Sequence, residues 1–476
     1  MPIRLNLPDE IGHSGAWWYS LVFGYHFKFV NATFRRELRQ RRIDMFYLRI
    51  CLIYLAISIS TGSAVAFFLW GLDQITECHW QNPWLLYGLP IFGLLSALLY
   101  RCFDQRAERG TALLFEEIQK PSCGVPGAMA PLVLIGTFLT HLGGGSAGRE
   151  GTAVQMGGSL ASVIAKRFGV QSQQLDPFLK AGIAAGFGAV FGTPIAGAIF
   201  SLEVLTRGKL NFLATIPCLF CAILSDQVTT WWGIVHTPFA VPSLSNGAVL
   251  DSMTAARAYV LLLQVVLASC LFGMASCLFV RTTHWIASLA EQWISIGWLR
   301  PLVGGIILIA LVLFFDGEAY LGLGVNSNPD VLNSITISSC FVAGGATHFS
   351  WILKLLFTAI TVGTAFKGGE VTPLFFIGAA LGNSLGVLLG APVDLMAALG
   401  LLAVFASATK TPFASTVLGM ELFAVDASGL WLVGFLIYTA TACYVANALS
   451  GEQSIYQRAS AKRRTRSRAR CQAPNF

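Results

Sequence analysis

The chain has 476 residues, 55% of them hydrophobic and 12% charged, with a mean hydropathy of +0.66. Soluble domains carry about 25% charged residues, so soluble classes are excluded and an all-α, polytopic membrane protein is expected. The net charge of +7 is concentrated near the ends, at Arg35, Arg36, Arg39, Arg41 and Arg42 and from Lys462 to Arg470. Each cluster flanks a hydrophobic span. Positive-inside placement explains both without nucleic acid as a partner and puts both termini in the cytoplasm, with attraction to anionic membrane lipid adding to it.

No cleavable signal peptide is evident, and the aromatic stretch Trp17–Phe29 is expected at the membrane interface. A first span runs from about residue 50 to 72, with an external exit loop, Asp73–Pro83, that lacks Lys and Arg. A second runs from about 84 to 100 and ends in Arg101, Arg106 and Arg109 on the inner side. Further apolar segments follow near 126–142, 152–165, 178–206, 211–232, 257–280, 302–315, 350–366, 372–390, 395–424 and 429–449. Arg207 and Lys209 mark another inner edge. Several segments are short or interrupted by Gly and Pro, so hydropathy alone does not separate full spans from half-helices. The turn-rich stretch 233–256 reads as a surface connection between two halves of one bundle. The eleven cysteines and seven histidines show no metal-ligand or disulfide spacing, so buried reduced thiols and no cofactor or metal are expected.

The most informative stretch is His141–Met156. It sets Arg149 and Glu150 among glycines between two apolar segments. An ionisable group at membrane depth is costly and is kept for a reason. A helix beginning near Gly151 would turn its first N–H groups back toward the glycine loop, an anion site made of backbone for which the Glu150 carboxylate would compete. Gly148-Arg-Glu150-Gly-Thr152 reappears 220 residues later as Gly368-Gly-Glu370-Val-Thr372. Phe187, Thr193, Pro194 and Glu203 recur at a shift of 218 as Phe405, Thr411, Pro412 and Glu421. Repeats with interrupted helices in matching positions mark transporters whose site lies at the repeat interface.

Other motifs carry less. Gly143–Gly148 matches GxGxxG, but no βαβ unit surrounds it and no Lys-Ser/Thr ending follows, which argues against nucleotide binding, a nucleotide-driven pump or an enzyme. Arg149 is expected to be structural or field-shaping. Glu203 and Glu421 are expected as interface or helix-end carboxylates, and His141 as a satisfied core residue.

These residues resemble the CLC superfamily of anion channels and proton-coupled antiporters. Gly148-Arg149-Glu150-Gly151 is similar to its GREG motif, Gly192–Glu203 to the helix that follows, Gly368–Pro373 to its second-half motif, and Tyr456 to its late anion-coordinating tyrosine. The resemblance covers residues 48–458, with repeat halves at about 84–232 and 257–449, a cytoplasmic or interfacial segment 1–47 before it and a basic tail 459–476, without a CBS-type domain, after it. It implies two inverted halves whose broken helices meet at a midplane anion site, a homodimer, and residence in a bacterial inner membrane. Thr152 after GREG and the run Gly369–Gly378 look most like the fluoride-exporting branch. Within it, Glu150 and Glu370 are implied for gating and proton coupling, and Gly110, Thr111, Gly148, Arg149, Gly151, Thr152, Val371, Thr372 and Tyr456 for anion binding. Val204 stands where chloride/proton antiporters keep an internal proton-transfer glutamate, a loss shared with the fluoride branch. Thr111 departs from the branch, which has Asn or Met after the glycine; its hydroxyl can donate to an anion as the Ser of chloride members does. The expected function is therefore halide transport, with fluoride/proton antiport the first reading and a chloride-preferring channel or chloride/proton exchanger the alternative.

Overall fold

The computed structural model describes residues 15–206, 212–236, 241, 255–325, 334–423 and 430–456. The basic tail, Arg207, Lys209 and most of the 233–256 connection lie outside them. The chain divides into two units, Met1–Ile53 and Tyr54–Phe476. The described part of the first is helix from Gly15 onward, and the side chains of the Trp17–Phe29 stretch fall outside the description.

Fifteen α-helices occur among the described residues, and no named strand. They are α1 Gly15–Gln81, α2 Leu89–Phe103, α3 Thr111–Gln119, α4 Met129–Leu142, α5 Glu150–Arg167, α6 Asp176–Phe191, α7 Pro194–Thr206 and α8 Phe212–Trp231, then α9 Ala255–Trp293, α10 Arg300–Phe315, α11 Ser350–Gly363, α12 Val371–Leu389, α13 Val393–Thr409, α14 Pro412–Phe423 and α15 Leu430–Leu449. Among the described residues six helical stretches are long and apolar enough to cross a membrane, including Tyr47–Gln81, Ala256–Trp293 and Val371–Leu389; α4, α11 and α13 are shorter apolar helices. Apolar helices too short to span require protein neighbours to satisfy their ends.

Two departures from hydropathy have local causes. The expected exit loop Asp73–Pro83 is helical through Gln81. Nothing before Asn82-Pro83 breaks the i→i−4 ladder, and the chain turns where that dipeptide arrives. The apolar runs 178–206 and 395–424 are each two helices. α6 ends on Gly192 in the left-handed region (φ 71°) and α7 begins at Pro194. α13 ends on Lys410 in the same region (φ 65°) and α14 begins at Pro412. A left-handed terminator followed by proline at the next helix start is the same device used twice.

The repeat is borne out helix by helix. α4 to α8 and α11 to α15 correspond in order, their first residues lying 217 to 221 positions apart. Each half crosses its central pair on glycines. A Cβ on Gly182 of α6 would lie 2.4 Å from the Gly157 carbonyl oxygen on α5, and one on Gly400 of α13 would lie 2.2 Å from that of Gly378 on α12. Backbones this close are how helices associate without a hydrophobic drive between them.

The halves are joined reciprocally. Glu203, late in α7, accepts hydrogen bonds from the Phe413 and Ala414 N–H groups at the start of α14, at 3.1 and 2.6 Å. Glu421, late in α14, accepts from the Ile195 and Ala196 N–H groups at the start of α7, at 2.9 and 2.7 Å. The end of each helix caps the beginning of the other, so the two equivalent helices run antiparallel, as inverted repeats require. Both glutamates are helix-end carboxylates, as expected.

Candidate functional site

The site forms where the two glycine-rich turns meet. Gly148 donates its N–H to the Gly369 carbonyl at 2.5 Å, and Gly369 returns the bond to Gly148 at 2.7 Å. That antiparallel bridge ties the turn before α5 to the turn before α12. It also commits the Gly148 N–H to the fold.

Glu150 opens α5 and is buried, 1% exposed. Its Oε2 accepts hydrogen bonds from the backbone N–H of Thr372 and from that of Arg149, both 3.1 Å away. Its Oε1 accepts a short hydrogen bond from the Thr372 hydroxyl, and Arg149 Nε lies 3.8 Å from it. The carboxylate therefore rests not on the first turn of its own helix but on that of α12, from the opposite half. It lies where the orphan N–H groups and the dipole of a helix start would favour any anion. Glu370 immediately precedes α12; a Cβ on Gly151 would lie 3.7 Å from its Oε2. Both acids thus border the same turn pair.

Beside Glu150 is a cavity of about 10 Å³ lined by Thr111, Phe115, Glu150, Gly151, Val154, Phe187, Phe200, Val371 and Tyr456. A space of this size holds about one water-sized particle. It brings together, from both halves, Thr111 at the start of α3, Gly151 at the start of α5, Val371 at the start of α12, and Tyr456. Gly110, in the left-handed region (φ 53°), turns the chain into α3. Gly148, Arg149, Thr152, Glu370 and Thr372 are not among the residues that line the cavity. The Thr152 hydroxyl bonds that of Thr137 at 2.7 Å, away from the cavity, and Thr137 donates onward to the Val133 carbonyl.

Sequence reasoning missed the apolar wall. Phe187 and Phe200 stack with ring centroids 4.5 Å apart, and Phe405 lies 6.4 and 6.0 Å from them. Phe115 meets Tyr456 edge-on at 5.3 Å. The recurrence of Phe187 as Phe405 was the available signal. An apolar lining excludes loosely held water, so an ion here must exchange its hydration for fixed donors.

A larger cavity, of about 350 Å³, opens beside the same glycine turn and is lined by Asp73, Glu77, His79, His141, Gly144 and Glu318 among others. His141 is buried, its ring nitrogens 2.9 Å from the Thr137 carbonyl and 3.1 Å from that of Ala147. Its single ring N–H donates to one of these two carbonyls, and the ring steadies the turn before Gly148. α7 carries Val204 beside Glu203. Cys218, Cys221, Cys340 and Cys443 are buried thiols as expected, whereas Cys51, Cys78 and Cys102 are exposed. Among the described residues no group of three or more His, Cys, Asp or Glu side chains is placed to hold a metal ion.

The family model for the voltage-gated chloride channel matches residues 92–450. The chain belongs to the CLC family. It is 38% identical over 406 residues, 84% of each chain, to a chloride/fluoride channel protein of Pseudomonas syringae pv. tomato. It is 27% identical over 399 residues to the voltage-gated ClC-type chloride channel ClcB of Escherichia coli, covering 80% of this chain and 88% of that one. The crystal structure of a CLC-type fluoride/proton antiporter superposes with a TM-score of 0.76 at 32% identity, covering 85% of this chain and 96% of the other. A slow cyanobacterial chloride/proton antiporter shares the fold, with a TM-score of 0.69 at 18% identity. This CLC protein is an integral membrane protein of all-α fold.

Proposed function

We propose that this CLC protein exports fluoride in exchange for protons, with Glu150 as the gate. One observation carries the reading: the Glu150 carboxylate occupies the start of α12, held by the Thr372 N–H and hydroxyl, as a bound anion would be. Ionised, it fills the anion's place. Protonated, it loses its charge-assisted bonds and leaves the α12 start to the ion. Anion and proton thereby compete through one carboxylate, which is the elementary requirement for exchange. The similarity to a fluoride/proton antiporter and to a chloride/fluoride channel protein supports the choice of ion.

The anion pathway runs through the cavity between α3, α5 and α12. Donors there are the N–H groups at Thr111, Gly151 and Val371, with the Thr111 and Tyr456 hydroxyls. Backbone dipoles replace water around the ion without a fixed charge that would hold it too tightly to leave. With Val204 at the internal position, the proton passes by Glu370, which borders Gly151 opposite Glu150. The vestibule lined by Asp73, Glu77 and Glu318 serves as the external mouth. Both termini face the cytoplasm, the residence is a bacterial inner membrane and the assembly a homodimer, on the family resemblance and the flanking basic clusters. A chloride-preferring exchanger is the second reading, favoured by Thr111.

Purified protein in liposomes, followed with a fluoride electrode and an internal pH dye, tests both readings. Fluoride moving down its gradient is expected to drive protons against theirs. Fluoride flux without proton movement would end the exchange claim, and chloride flux equal to or above fluoride flux would select the second reading.

A further inference from the structure

We infer that Gln155 is a positioning residue that aims the Thr111 hydroxyl into the anion cavity and thereby sets halide preference. The inference rests on the proposed function for the identity of the ion, but not for the geometry.

Gln155 stands one turn after Gly151 on α5 and is 8% exposed. Its Nε2 donates to Thr111 Oγ1 at 3.1 Å. Among the described residues it is the one partner of that hydroxyl. A hydroxyl has a single hydrogen and two lone pairs. Accepting from Gln155 uses a lone pair and leaves the hydrogen uncommitted. Thr111 also lines the cavity beside Glu150 and Tyr456, so the remaining hydrogen has the ion's space before it. Thr111 begins α3, where its side chain has no preceding turn of the same helix whose carbonyl would draw the hydrogen back.

The approach is built into the turn. A Cβ on Gly110 would sit 3.0 Å from Gln155 Oε1 and 3.2 Å from Nε2, so the glycine is what lets the amide lie flat against this turn. Gly110, Thr111 and Gln155 therefore act as a unit: a gap, a donor and the group that orients it.

A pre-aimed O–H favours the smaller halide. Fluoride concentrates its charge and makes shorter, stronger hydrogen bonds than chloride, so the loss of one fixed donor weakens it more. The departure at Thr111 is thus compatible with fluoride selectivity, provided that the hydroxyl is held as a donor rather than left to rotate.

Gln155→Met keeps an unbranched side chain of similar volume and removes the amide. Proteoliposome efflux of fluoride and of chloride gives the rate ratio, and its dependence on fluoride concentration separates KM from the maximal rate. The expected result is about a tenfold fall in the fluoride-to-chloride ratio, the size of one hydrogen bond to an ion, carried by a raised fluoride KM. Thr111→Val should fall by a similar factor, and the double variant no further than Thr111→Val alone, as expected of groups acting in series. Gln155→Glu, which keeps the shape but can only accept from the hydroxyl, serves where the Met variant does not fold and should also lose the ratio. An unchanged ratio in Gln155→Met would show a packing role. A raised ratio would show that the amide oxygen, not the nitrogen, faces Thr111 and consumes its hydrogen. Additive losses would show two independent contacts. Each overturns the inference. Failure of the wild type to move protons with fluoride would sink the exchange reading instead, and leaves the halide ratio readable.

Discussion

Glu150 Oε2 lies 3.1 Å from the backbone N–H of Thr372, a residue 222 positions further along the chain. The gate residue of one half is thus held by the helix start of the other. Replacing Glu150 by Gln removes the negative charge and the site of protonation while keeping the shape. The expected outcome is loss of proton coupling, seen as fluoride efflux with no uphill proton movement or as no efflux at all. Fully coupled exchange in Glu150→Gln would place the coupling elsewhere.

Thr372→Val tests the hydroxyl that reaches Glu150 Oε1. The backbone N–H remains, so the carboxylate is still held, but more weakly. Removal of the hydroxyl should free the gate more often and raise the fluoride flux that passes without a proton by about tenfold, the size of one hydrogen bond to a charged group. An unchanged ratio of fluoride to protons moved would show that the hydroxyl does not hold the gate.

Glu203 and Glu421 each receive two N–H groups of a helix start. Glu203→Ala should destabilise the purified protein by about 2–4 kcal/mol, since the N–H pair loses its acceptor and the Ala414 N–H is buried. Glu421→Ala should cost about the same by the pseudo-symmetry. Thermal unfolding in detergent measures both. Proton coupling in the folded fraction should be unaffected, and a selective loss of coupling would give these glutamates a part in transport.

Gly400→Ala would place a methyl group 2.2 Å from the Gly378 carbonyl oxygen, whereas a Cβ on Gly434 meets nothing within 4 Å. The first substitution should destabilise by about 3 kcal/mol or more through forced separation of α12 and α13. The second should be tolerated to within about 0.5 kcal/mol. Similar unfolding temperatures for the two variants would mean that the crossing is looser than the backbone distances state.

Much of the fold was legible because membrane helices announce themselves by composition, and much of the site because Glu150, Glu370 and Thr372 stand in a repeated motif. The helix breaks at Gly192 and Lys410 were less so. Both sides of each break are apolar, and the signal is one left-handed residue ahead of Thr-Pro, which hydropathy averages away. The Asp73–Pro83 loop misled for the opposite reason: its residues are polar, but none before Asn82-Pro83 stops a helix. At the site, the repeat pointed to a second half without saying that the Glu150 carboxylate crosses over to α12. Gln155 was invisible because its importance lies in the direction of one hydrogen bond. The Gly148 N–H pairs with the Gly369 carbonyl, a pairing that no local pattern encodes.

The Glu203 and Glu421 contacts also bear on how the chain is made. During synthesis the first half reaches the membrane with the start of α7 uncapped and the Glu203 carboxylate without its two donors, and it stays so until α14 has been translated some two hundred residues later. Neither half is a finished object by itself. Expressed as separate fragments, the two should accumulate only together, each supplying the acceptor that completes the other's broken helix.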